Sequence, residues 1–148
     1  MRARIGRFVT TITFIMLLGS LTQTAAQSHP PCSNATLRGS YGLHATGVTG
    51  ARGNFAAVGR FTFDGKGNIT GKLFVRVAGN DVEVNFTGTY SVSAECIVDD
   101  TWNTPGGPST HKSIIVSQGR GYIILNNHVG DGSVISGEAK KQFVEDED

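Results

Sequence analysis

Helix-forming residues in sustained runs of period 3.6 are missing from this 148-residue chain. That excludes a bundle or a doubly wound α/β fold as the expected class. Apolar runs of about 20 residues, the length that spans a bilayer, are missing too. Cysteine is scarce: Cys32 and Cys96 are the only two, too far apart for a CxxC redox motif. His44 and His128 have no partner at metal-ligand spacing, so neither metal nor cofactor is expected. Serines are many, but none lies in a Gly-x-Ser-x-Gly elbow, and no Ser/His/Asp arrangement is expected.

What is present begins with an export signature. Arg2, Arg4 and Arg7 precede an apolar run from Phe8 to Leu18, and Thr24-Ala25-Ala26 offers small residues for cleavage. Residues 1–26 therefore read as a signal peptide cut near Ala26-Gln27, which makes the protein secreted or periplasmic. A membrane anchor is the alternative, and the apolar run is too short for one. Removing Arg2, Arg4 and Arg7 from thirteen basic residues leaves ten against twelve acidic, a net of −2. A weakly acidic chain argues against nucleic acid and against docking on anionic lipid, since both need a basic patch. In an oxidising compartment Cys32 and Cys96 read as a disulfide. It would close a loop worth roughly 4 kcal/mol in the chain-entropy model. Two buried thiols are the alternative.

Period-two alternation runs through the remainder. Phe61 and Phe63 share one face, with Arg60 and Thr62 on the other. Asp64-Gly65 and Gly67-Asn68 supply the positive-φ residues of a tight turn, and Ile69, Leu73, Val75 and Val77 share the next inner face. The expected strands are 37–48, 55–63, 69–78, 82–92, 96–102, 112–117, 122–126 and 134–143. Asn103–Ser109, with two prolines and two glycines, reads as a long loop. Residues 27–36 read as an extended lead-in and 144–148 as a disordered acidic tail. Eight short strands at regular spacing form a meander. Closure into an antiparallel up-and-down β-barrel over residues 37–143 removes its exposed edges.

Cys32-Ser33-Asn34-Ala35-Thr36-Leu37-Arg38-Gly39-Ser40-Tyr41-Gly42, the Gly59–Gly71 stretch, Phe86-x-Gly88-Thr89-Tyr90-x-Val92 with Cys96, and Ser136–Gln142 together resemble a family of exported bacterial proteins. That family is similar to the allene-oxide-cyclase-like barrels, relatives of dirigent and calycin-like folds. The resemblance implies a barrel over about 32–142. It carries no catalytic residue to this chain.

An eight-stranded barrel is just wide enough to be filled by side chains or to hold one small ligand. The expected lining of a void is Phe61, Phe63, Phe86 and Tyr90, with Tyr41, and with Trp102 and His111 at the rim beside Asp99 and Asp100. Adjacent Asp99 and Asp100 point opposite ways on a strand and form no dyad. Tyr41, Tyr90 and Tyr122 have interior parity, and their hydroxyls are expected to reach backbone at strand ends. Asp64-x-Lys66-x-Asn68 echoes a calcium loop, but Lys66 takes a ligand position and the distal Glu is missing, so it reads as a turn. The expected role is binding a small apolar ligand, or a partner at the surface, without catalysis. A cyclase or isomerase that confines its substrate is the alternative implied by the resemblance, and a filled structural barrel is the third.

Overall fold

The computed structural model describes residues 30–50, 52–126 and 132–143. The signal peptide, His128 and the acidic tail read from the sequence lie outside the described residues. Within them the chain is all-β: β1 (Arg38–Thr49), β2 (Gly53–Asp64), β3 (Asn68–Val77), β4 (Asn80–Val92), β5 (Ile97–Thr104), β6 (Gly107–Val116), β7 (Gly121–Asn126) and β8 (Val134–Lys141). Each strand pairs antiparallel with the next, and β8 returns to β1, so the ladder closes. The fold is the expected eight-stranded up-and-down barrel.

The closed ladder has two unlike ends. At one end lie the turns after β2, β4 and β6, together with the chain before β1. That lead-in is not extended throughout: Asn34–Thr36 form a single 3-10 turn, with the Ser33 N–H donating to Thr36 Oγ1 at 3.0 Å. Asn34 then clamps the barrel floor. Its Oδ1 accepts the Val92 N–H at 2.9 Å, and Tyr90 Oη lies 3.0 Å from the carbonyls of Asn34 and Leu37. A disulfide joins Cys32 to Cys96, with Cα atoms 5.0 Å apart. Tyr41 donates to the Gly119 carbonyl at the same end. Two of the three tyrosines thus tie their hydroxyls to backbone, as their parity led us to expect. Asp64 caps the β2–β3 turn there, with Oδ1 accepting the N–H groups of Lys66, Gly67 and Asn68 at 2.7, 3.0 and 3.0 Å. The Asn68 side-chain amide, donating to Oδ2 at 2.6 Å and contributing most, and those backbone donors hold its carboxyl down at about 2.

At the other end lie the turns after β1, β3 and β5. Here the long loop expected over Asn103–Ser109 is instead a two-residue turn, Pro105-Gly106, and β6 starts at Gly107 rather than Lys112. The reason is local. Thr104 Oγ1 accepts the Gly106 N–H at 3.2 Å and donates to the Gly107 carbonyl at 2.7 Å, while proline presets its own φ. Prolines and glycines that read as a loop therefore make a compact hairpin. Register runs from Thr104↔Gly107 through Trp102↔Ser109 and Asp100↔His111. At the end of the chain β8 stops at Lys141, so Phe143 is 73% exposed rather than part of the barrel.

Glycines inside strands set the coil of the wall. Gly71 faces Phe61 on β2 and Phe86 on β4, and a Cβ there would lie 2.5 Å from the Phe86 ring. Gly88 sits between Ile69 and Trp102, and its Cβ would lie 2.2 Å from the Thr101 carbonyl oxygen. Large inner rings cover these gaps from the neighbouring strands, which allows the strands to bend without exposing the core. Replacing Gly88 by Ala forces backbone apart and should cost about 1–3 kcal/mol, the usual penalty of overpacking. Denaturant unfolding of Gly88→Ala against Thr87→Ala, an exposed neighbour expected within about 0.5 kcal/mol of the parent, checks this.

Candidate functional site

Side-chain size is graded along the barrel axis. Toward the floor, Tyr41, Phe61, Phe63, Tyr90 and Tyr122 pack ring on ring, with centroids 4.7–6.0 Å apart. All five are at most 5% exposed. Toward the other end the inward residues of β1 shrink from Tyr41 to Leu43 to Ala45, and on β2 Phe61 gives way to the small residues Gly59 and Ala57. The space left by the small residues is a cavity of about 540 Å³ open at that end. Leu43, Ala57, Leu73, Val75, Val84 and Ile124 are among the apolar residues that line it. That volume falls within the range of small-molecule pockets.

Of the seven residues singled out by sequence, Trp102 and His111 line this cavity. Tyr41, Phe61, Phe63 and Tyr90 do not; they are the solid plug beneath it. Phe86 does not line it either; it stacks on Trp102, with centroids 4.3 Å apart and planes 13° apart. The face assignment of these rings was right. Their height along the axis was not legible, because height depends on the stagger between strands and not on parity.

One wall of the cavity is polar and ordered. Asp100 and His111 are directly opposed on β5 and β6, and Trp102 and Ser109 are the next inward pair. His111 Nδ1 lies 2.7 Å from Asp100 Oδ1, and His111 Nε2 lies 2.9 Å from Ser109 Oγ. Tyr122 reaches across from β7 and donates its hydroxyl to Asp100 Oδ2. The Asp100 side chain is fully buried and His111 is 8% exposed, while Ser109 is half-buried and faces the cavity. A Ser–His–Asp line is therefore present, contrary to the sequence expectation. It was missed because residues 103–109 were read as a loop, which left Ser109 off any strand face. Alternation carried back from His111 to Ser109 was the signal that could have found it.

Protonation along this line follows from its donors. Burial, then the neighbouring Asp100 charge and its hydrogen bond, push the Tyr122 phenol well above its ordinary 10. The phenol thus remains a donor, and Asp100 accepts from it through Oδ2. Oδ1 is left facing His111 Nδ1, and the neutral tautomer protonated there presents Nε2 as an acceptor to Ser109. Trp102 tilts over the His111 ring, with centroids 4.3 Å apart, and its buried Nε1–H has no acceptor among the described residues. Asp99 points outward and pairs with Lys112. His44 is exposed on the outer face of β1. Among the described residues no group of three or more His, Cys, Asp or Glu could hold a metal ion. None of the described helices is long and apolar enough to cross a membrane, which says nothing of strands.

Comparison with known proteins adds fold and no more. Neither a protein-family model nor a curated protein matches the chain. Among solved structures it is similar to a redesigned beta barrel, at 15% identity and TM-score 0.57, covering 74% of this chain and 95% of that one. It is also similar to EF1p2_mFAP2b bound to DFHBI, at 12% identity and TM-score 0.55, covering 72% and 94%. Those likenesses agree with the closed all-β barrel.

The buried phenols give the site a pH signature. Burial raises Tyr41 to about 12, and Tyr122 also stands well above 10. The unfolded chain loses these protons near pH 10 while the folded chain keeps them, so stability is full below that pH and falls as pH rises above it. Denaturant midpoints measured from pH 8 to 12 should decline from about pH 10, and Tyr122→Phe should flatten the decline. At pH 8 the same substitution strips a donor from buried Asp100 and should cost about 1–3 kcal/mol. A midpoint independent of pH to 11.5 would contradict the arrangement.

Proposed function

We propose that this barrel binds a small, mainly apolar molecule in its open end, with one polar group of the ligand set against Trp102, Ser109 and His111. The observation that carries the reading is the cavity itself: about 540 Å³, lined largely by aliphatic side chains above a plug of packed aromatic rings. A filled structural barrel would have large residues at positions 45 and 57, where this chain has alanine. An exported site of action is part of the proposal. It is supported by the leader-like first 26 residues together with the Cys32–Cys96 disulfide, a bond that persists in oxidising compartments.

Trp102 is the chain's single tryptophan, so its fluorescence reports on the cavity. Titration with N-phenyl-1-naphthylamine, a neutral apolar fluorophore, should quench Trp102 by energy transfer and saturate at one molecule per chain. Ala57→Phe fills the wall opposite the site and should weaken binding at least about tenfold, a loss of about 1.4 kcal/mol. Saturable binding that is indifferent to Ala57→Phe, or no binding by folded protein, would contradict the proposal.

A further inference from the structure

We propose that Ser109, His111 and Asp100 form a nucleophile–base–carboxylate relay through which the barrel cleaves small apolar esters by way of an acyl group on Ser109 Oγ. Each part is in place on the rigid β5–β6 ladder. Asp100 is buried between the Tyr122 phenol and the imidazole, and the neutral tautomer protonated at Nδ1 donates to its second oxygen. His111 Nε2 is then an acceptor 2.9 Å from the Ser109 hydroxyl, the geometry a general base needs. Ser109 and His111 both line the cavity, and Ser109 is the more exposed of the two, so an entering molecule meets the nucleophile with the base directly behind it. Trp102, the cross-strand partner of Ser109, lines the same wall of the cavity.

The reaction balances with water as the only co-reactant. Ser109 Oγ bonds to the ester carbonyl carbon as its proton moves to His111 Nε2. The bond from that carbon to the alcohol oxygen breaks, and the alcohol leaves with the proton from His111. Water, deprotonated by His111, then attacks acyl-Ser109; the bond to Oγ breaks, Oγ recovers the proton, and the acid is released. The apolar wall of Leu73, Val75, Val84 and Ile124 selects a short hydrocarbon acyl chain rather than a charged one.

The test uses the full disulfide-bonded chain and diethyl p-nitrophenyl phosphate, a small neutral phosphorylating ester. Intact mass should show one diethylphosphoryl adduct, and peptide mapping should place it on Ser109. Ser109→Ala removes only the nucleophile and leaves the Tyr122–Asp100–His111 contacts, so it should fold and take up no adduct. His111→Gln should slow labelling by about 10²-fold or more, whereas Ser117→Ala, an exposed serine beyond β6, should leave the rate unchanged. Cleavage of p-nitrophenyl butyrate should follow the same order. Folded parent protein that takes up no adduct, or Ser109→Ala that is labelled as fast as the parent, would overturn the relay. Binding of N-phenyl-1-naphthylamine is read separately, so loss of the relay and loss of the ligand site are distinguishable.

Discussion

The interior of a closed eight-stranded ladder is narrow, and every large side chain placed in it removes space from a ligand. This chain places its large rings at one end. Five aromatic residues and the 3-10 turn at Asn34–Thr36 make a solid floor, and alanine, glycine and modest aliphatic residues leave the other end hollow. The plug supplies the burial that holds a small domain together, and aromatic pairs add about 0.5–1.5 kcal/mol each beyond area. The hollow end can then tolerate the loss of packing that a cavity entails. The two halves divide stability and chemistry between them.

The polar wall depends on that division. Tyr122 belongs to both halves: its ring packs in the plug, and its hydroxyl holds Asp100 at the base of the cavity. Buried carboxylates are costly unless their lone pairs meet donors, and Asp100 meets one from each side. The result is an oriented imidazole at a half-open wall, built without a loop. Cys32–Cys96 works on the opposite side of the plug. It anchors the chain before β1 beneath the floor, where Asn34 and Tyr90 complete the seal.

Strand identity and closure were legible because alternation is a local property. Val82 to Val92 reads as a strand from eleven residues alone, and the inward parity of Phe61, Phe63, Phe86 and Tyr90 follows from it. Height along the axis was not legible, because it is fixed by pairings such as Tyr41↔Phe61 and Phe61↔Gly71 between distant segments. A cavity lined by the phenylalanines was therefore expected, and a cavity above them is found. The sizes nevertheless carried a hint: Tyr41, Leu43, Ala45 dwindle in one direction along a single strand. The Ser109 contact was hidden by a different cause. Pro105, Gly106, Gly107 and Pro108 look like a loop by composition, yet proline followed by glycine also suits a two-residue turn, and only Thr104 closing it decides between the two.

Xenon dissolved in a solution of the folded protein offers the most direct measurement of the hollow-over-plug arrangement, since xenon enters dry apolar cavities. Methyl resonances of Ala45, Ala57, Leu73 and Ile124 should shift with xenon pressure and saturate, while those of Leu37, Ile69 and Val98 in the floor stay fixed. Shifts spread evenly over both groups, or none at the first, would contradict a barrel that is solid at one end and hollow at the other.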